Sequence, residues 1–125
     1  VIIRRLWHEN LLPYLPRQQL LGQHRECAAL RGNGWGKPHN VIDYIFKYSR
    51  QKLYRYHYKV MKEMFRRGYN IDPLWWDVNY RGKNCEPDNI NNFCFYRGTV
   101  YEEHNNSYLN ECLENLRHKG IFLYE

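Results

Sequence analysis

The chain has 125 residues, which suits a single domain with one modest core. Its 19 Lys and Arg against 13 Asp and Glu give a formal net charge of +6, a balance that favours polyanionic partners. No apolar run approaches the roughly 20 residues of a spanning helix, and Val1-Ile2-Ile3-Arg4-Arg5-Leu6-Trp7 lacks the apolar stretch and cleavage site of a secretory signal. An integral membrane protein is therefore not expected, and a cytoplasmic location is.

After a short lead, Pro13 and Pro16 punctuate a turn, and Pro16 suits a first helical position. Leu20, Leu21, Cys27, Ala28 and Leu30 then recur near helical period and predict a helix over about 17–30. Gly32-Asn33-Gly34-Trp35-Gly36-Lys37-Pro38 ends it and reads as a loop that brings Lys37 or Trp35 to the surface. No strand precedes this loop and no Gly-Lys-Ser/Thr follows, so it is not a phosphate loop of the Walker type.

A long helix is predicted over about 49–67, closed by Gly68. Leu53, Tyr56, Val60, Met61, Met64 and Phe65 would form its buried face. Arg50, Lys52, Arg55, Lys59, Lys62, Arg66 and Arg67 cover the rest, opposed on the helix by Glu63 alone. Such a face reads first as solvated, with a DNA contact as the alternative. The β-branched and aromatic residues of 41–48 argue against a continuous helix, and the sequence leaves open whether they extend it or form a separate turn.

The stretch 70–99 is dense in Asn, Asp, Pro and Gly, and reads as irregular chain pinned by Leu74, Trp75, Trp76, Phe93 and Phe95. A last helix, about 106–119, turns Leu109, Cys112, Leu113 and Leu116 inward and is closed by Gly120. Glu111 and Glu114 precede Arg117, His118 and Lys119, an order that complements the helix dipole. The expected fold is all-α: one domain of three main helices with long irregular connections.

Cys27, Cys85, Cys94 and Cys112 are scattered without a Cys-x-x-Cys pair, so they read as free thiols, three of them facing the core, rather than as metal ligands. Aromatic residues make up 17% of the chain, including twelve tyrosines. A core of this size takes more than half of them, and the remainder can form a stacking platform for unpaired bases.

The most informative segment is Leu15-Pro16-Arg17-Gln18-Gln19-Leu20-Leu21-Gly22-Gln23-His24-Arg25-Glu26-Cys27. It places one carboxylate, Glu26, amid arginine, histidine and glutamine, in surroundings that also attract phosphate. Cationic neighbours favour the ionised form of a carboxylate. On residues alone, Arg25-Glu26 reads as a surface pair worth less than about 1 kcal/mol.

Gln18 to Glu26, then Met64-Phe65-Arg66-Arg67-Gly68-Tyr69-Asn70-Ile71, then Tyr80-Arg81-Gly82-Lys83 resemble, in order, segments of the pyrimidine-dimer DNA glycosylase family of the phage endonuclease V type. With Arg5-Leu6-Trp7-His8, the chain is most similar to a compact bacterial branch of that family, over nearly its whole length. The loop between the first two helices is shorter here. The resemblance implies a bacterial or viral origin and a three-helix, cofactor-free enzyme without a metal. Such an enzyme excises a cyclobutane pyrimidine dimer and then nicks the abasic strand.

In that family the nucleophile is the chain's own α-amine, which attacks C1′, releases the base and forms a Schiff base that collapses by β-elimination. An α-amine, with a pKa of about 7.7–8.0, is far more often neutral near pH 7.5 than a lysine. The resemblance makes the nucleophile the amine of Val1, or of a start nearer Arg5. It makes Glu26 the carboxylate that stabilises the developing cation and aids proton transfer, and Arg25 a phosphate clamp beside it. Arg5 and Gln18 match positions near the DNA; His24, Lys37, Arg117 and Lys119 are further candidate contacts.

The implied partner is duplex DNA with damaged pyrimidines, bound by a monomer. A non-catalytic basic binding module on the same scaffold is the alternative, and would show salt-sensitive binding without nicking. A metal-dependent nuclease using histidines and Asp72 or Asp77 would be separated by its sensitivity to EDTA.

Overall fold

The computed structural model describes residues 6–36, 43–91, 93 and 98–123. Its three main helices are α1, Arg17–Arg31, α2, Arg50–Arg66, and α3, Asn106–His118, and no strand occurs among the described residues. The architecture is all-α, as the sequence indicates. Three 3-10 helices, Glu9–Tyr14, Asp43–Lys47 and Pro73–Trp76, lie in the connections. The first of these is too short to show an apolar period of its own, and no local pattern announces it.

Pro16 precedes α1 as its N-cap, with ψ 159°, rather than occupying the first helical position. The 43–47 turn is separate from α2, because Ser49 sits between them in extended geometry and accepts the Lys52 N–H at 3.2 Å. This cap satisfies one of the N–H groups that a helix start leaves unbonded. Asn105 starts α3 in the same way, accepting the Tyr108 N–H at 2.9 Å.

At the far end of α2, Gly68 takes φ +81°. Its N–H reaches the Phe65 carbonyl at 3.0 Å and the Tyr69 N–H reaches that of Met64 at 2.9 Å, the double closure that a left-handed residue makes possible. Gly32 closes α1 for a different reason: a Cβ there would stand 2.8 Å from the Arg81 carbonyl oxygen. Arg81 approaches to cap this end, donating to the carbonyls of Arg31 at 2.8 Å and Gly32 at 3.2 Å.

α1 and α2 pack in opposite chain directions. Arg17 lies over Tyr69 at one end, 5.0 Å from the ring centre, and Arg31 over Tyr54 at the other, at 4.9 Å. The core joins Leu20, Cys27 and Leu30 of α1 to Leu53, Tyr56, Val60 and Met64 of α2. Tyr108, Cys112 and Leu116 of α3 and Leu6, Leu11, Leu12 and Leu15 of the lead complete it.

Phe65 is not in this core but 73% exposed, because α2 turns that position outward beyond Met64. Tyr54, His57 and Glu63 are buried instead. Leu74, 52% exposed, is not an anchor of the irregular stretch, whereas Trp75, Trp76 and Phe93 are half-buried. Leu109 and Leu113 lie only at the edge of the core. Trp35 is half-buried rather than presented at the surface, packed edge-on to Phe46 at 5.0 Å and under Arg50 at 5.4 Å. Phe95 and Cys94 lie outside the described residues; Cys27 and Cys112 are buried thiols and Cys85 is half-buried.

Candidate active site

Four predicted site residues share α1. Gln18 and Arg25, seven residues apart, lie on one exposed face, while His24 and Glu26 are half-buried at its border. The Arg25 guanidinium folds back along the helix, so that a Cβ on Gly22 would lie 3.6 Å from Nη2. Glu26 holds its Oε1 shielded from solvent.

Beside Glu26, three helices converge on the first described residues of the chain. Gln23, buried on α1, accepts the Trp7 N–H at 2.5 Å. The Tyr56 hydroxyl of α2 lies 2.7 Å from both the Gln23 Oε1 and the Trp7 carbonyl. The Tyr108 hydroxyl of α3 donates to the Leu6 carbonyl. Burial raises the Tyr56 pKa well above 10, so its hydroxyl remains a donor. Gln23 and Glu26 are three residues apart and so lie on the same side of α1. The backbone at Leu6–Trp7 is thereby fixed against the side of the helix that carries the carboxylate.

One residue further along both α1 and α2 begins a second polar chain. His24 Nδ1 is 2.8 Å from His57 Nε2, and His57 Nδ1 is 3.0 Å from Arg31 Nη1. Arg31 also donates to the carbonyls of Trp75 at 2.9 Å, Asp77 at 2.7 Å and Tyr80 at 2.9 Å. Its guanidinium lies between the rings of Tyr54 and Trp75, at 4.9 and 5.0 Å. Burial brings the Arg31 pKa down to about 10, which leaves it cationic near neutrality. Burial also lowers His24 below its ordinary 6.5, with Arg31 and Arg25 adding to the effect, and lowers His57 much further.

The cationic face of α2 is largely engaged within the protein. Arg50 forms a two-pronged pair with Asp88 at 2.8 and 2.5 Å, and Lys59 meets Glu9 at 2.6 Å. Arg66 and Arg67 both reach Glu63, at 2.5 and 2.6 Å. Glu63 is therefore not the sole opposing charge, because Asp88 and Glu9 arrive from elsewhere in the chain. Arg17 and Arg25 of α1 and Lys62 of α2 are exposed.

Arg117 and Lys119 sit apart from α1 residues in sequence, exposed at the end of α3, where Arg117 pairs with Glu114 at 3.1 Å. Val1, Arg5 and Lys37 lie outside the described residues. Asp72 and Asp77 accept the N–H groups of Leu74 at 3.0 Å and Asn79 at 2.9 Å, which are turn-capping contacts. Among the described residues no group of three or more His, Cys, Asp or Glu is arranged to hold a metal ion.

Sequence reasoning passed over Gln23, Arg31 and His57. The signal was present in their spacing: Gln23 lies three residues after Leu20 and four before Cys27, and Arg31 four after Cys27. His57 stands four after Leu53 and three before Val60. Each occupies an inward register, where a polar residue needs partners.

A family model described as pyrimidine dimer DNA glycosylase matches residues 5–77, a span that includes α1, α2 and the Arg25-Glu26 pair. Neither the curated proteins nor the solved structures give a match.

Proposed function

With more than half of its length matched, the chain belongs to the pyrimidine dimer DNA glycosylase family, and on that premise we propose that it removes a damaged pyrimidine from duplex DNA and then opens the abasic strand through a Schiff base. The enzyme bends the duplex and takes the damaged nucleotide out of the stack to expose C1′. The neutral α-amine, at Val1 or at a start nearer Arg5, adds to C1′ as the glycosidic C–N bond breaks, and the base leaves with the bonding pair and gains a proton. Opening of the sugar ring at C1′–O4′ gives the protonated imine. Loss of a C2′ proton then expels the 3′ phosphate.

In this mechanism Glu26 offsets the positive charge that develops at C1′ and O4′ and carries protons between the leaving groups. Arg25 and Gln18 hold the phosphodiester along the exposed face of α1. Arg5, Lys37, Arg117 and Lys119 supply flanking contacts, and His24 approaches the nucleotide beside Glu26. The observation that carries this reading is the fixing of Leu6–Trp7 by Gln23, Tyr56 and Tyr108 on the side of α1 that bears Glu26.

Borohydride reduction during incubation with abasic-site duplex should yield a covalent protein–DNA adduct at the terminal amine. No adduct from protein with its authentic N-terminus would remove the Schiff-base route. Glu26→Gln should lower turnover by ~10² or more while binding to damaged duplex persists. Unchanged turnover would reassign the carboxylate, and binding without any nicking by the parent would leave only a basic helical binder.

A further inference from the structure

The hydrogen-bond chain from Arg31 to His24 has only one consistent arrangement of protons. Arg31 is a donor with no acceptor atom, and Nη1 and Nη2 together face four acceptors: His57 Nδ1 and the carbonyls of Trp75, Asp77 and Tyr80. His57 Nδ1 must therefore present its lone pair, which puts the His57 proton on Nε2. That proton points at His24 Nδ1, 2.8 Å away, which must in turn present a lone pair. The proton of neutral His24 is left on Nε2, the nitrogen turned away from His57.

A second proton on either ring breaks this order. On His24 Nδ1 it would oppose the His57 Nε2–H, and shifting the His57 proton to Nδ1 would oppose Arg31. The groups around the ring act in the same sense. His57 faces it from α2, Arg25 and Arg31 act on it from α1, and the coil after residue 73 contributes carbonyls to Arg31. Burial and these cations lower the His24 pKa. His24 lies two residues before Glu26, half-buried at the border of the exposed face of α1.

We propose that Arg31 and His57 lock His24 as a neutral Nε2–H donor that positions the damaged nucleotide by binding an uncharged oxygen, a deoxyribose or pyrimidine oxygen, rather than a phosphate. This rests on the proposed glycosylase reading and adds to it a residue that selects by neutrality. A cationic imidazole would be drawn to any phosphate along the duplex, whereas a neutral donor gains less there and distinguishes the extruded nucleotide. Arg31 and His57 are positioning residues in this scheme, since they act only through His24.

The test is long-range proton–nitrogen NMR on the full chain between pH 5 and 8, free and with three duplexes. One duplex is undamaged, one carries a tetrahydrofuran abasic analogue and one a thymine dimer. In the free protein both rings should show the Nε2–H tautomer, with His24 titrating below 6.5. His24 as the Nδ1–H tautomer, or titrating at or above 6.5, would overturn the lock. On addition of DNA the His24 Nε2–H should shift downfield with its tautomer unchanged.

A shift with the tetrahydrofuran duplex assigns a sugar oxygen, and one seen only with the dimer duplex assigns a base oxygen. An equal shift with undamaged duplex, no shift with any duplex, or a midpoint raised by DNA would each overturn the positioning role. The borohydride adduct reports the glycosylase reading separately. An adduct without a His24 response rejects this proposal alone, and a damage-specific His24 response without an adduct rejects only the Schiff-base chemistry.

Discussion

Among the described residues, Arg31 and Glu9 are two buried charged side chains that tie irregular chain to the helices, and they do so in opposite senses. Arg31 gathers the 73–81 segment onto α1 and α2 through three carbonyls, one imidazole and two ring faces. Glu9 gathers the chain before α3 onto α2: its carboxylate accepts the N–H groups of Val100 at 2.8 Å and Tyr101 at 3.2 Å, and pairs with Lys59. His104 stands 3.5 Å away. The cation is solvated by dipoles and rings, and the anion by backbone donors and an opposite charge. The Arg31 guanidinium keeps its proton from acid to neutral pH, whereas a carboxylate loses its charge in acid. The two ties should therefore fail under different conditions.

The larger loss is expected at the cation. Arg31→Met removes a side chain that engages four acceptors and leaves three carbonyls and His57 without their donor. Breaking a buried charged cluster from one side costs about 3–5 kcal/mol, to be read from chemical denaturation at neutral pH. Arg31→Lys should fall between parent and Met variant, because a compact ammonium cannot meet four acceptors in one plane. A Met variant as stable as the parent would mean that the rings, not the hydrogen bonds, hold the segment.

The second loss depends on pH. Burial pushes the Glu9 carboxyl up, but His104, Lys59 and the Val100 N–H outweigh it and hold the pKa at about 2, against an ordinary 4.5. A carboxyl depressed in the folded state stabilises fully above its unfolded pKa and loses that stabilisation as pH falls through the folded one. The Glu9 share, about 3 kcal/mol by linkage, should thus be complete above pH 4.5 and disappear towards pH 2. Glu63, Asp88 and Glu103 are also depressed and titrate in the same direction, so the informative quantity is a difference. Stability of Glu9→Gln minus that of the parent should shrink as pH falls from 4.5 to 2. A difference independent of pH would show that the backbone contacts alone carry the tie.

The same contrast explains what could be read from the chain. The helices were legible because Leu53, Tyr56, Val60 and Met64 repeat at helical spacing and Ser49, Gly68, Asn105 and Gly120 mark their ends. Glu26, Arg25, His24 and Gln18 can be grouped from the sequence because one helix carries all four. The polar ties were not legible, since each joins residues far apart in sequence. Lys59 meets a glutamate 50 residues earlier, and Arg31 a carbonyl 49 residues later. No local pattern specifies such a pair. Only the inward register of Arg31 and His57 indicated that they had partners, without saying which.

Phe65 gives the smallest expected effect and sharpens the comparison from the other side. Its spacing places it with the buried face, yet it is 73% exposed and borders an open cleft of about 820 Å³ with Pro13, Tyr14 and Lys62. What holds this end of α2 is polar: Glu63 engages Arg66 and Arg67, and Arg67 Nη2 donates to the Pro13 carbonyl at 3.0 Å. Burial, not hydrophobicity, sets the value of a side chain to the fold. Phe65→Ser should therefore change stability by less than about 0.5 kcal/mol, although Met64→Ala, one residue away, should cost about 2–5 kcal/mol. Paired denaturation curves check both. A loss of about 2 kcal/mol or more from Phe65→Ser would mean that the ring is covered in solution.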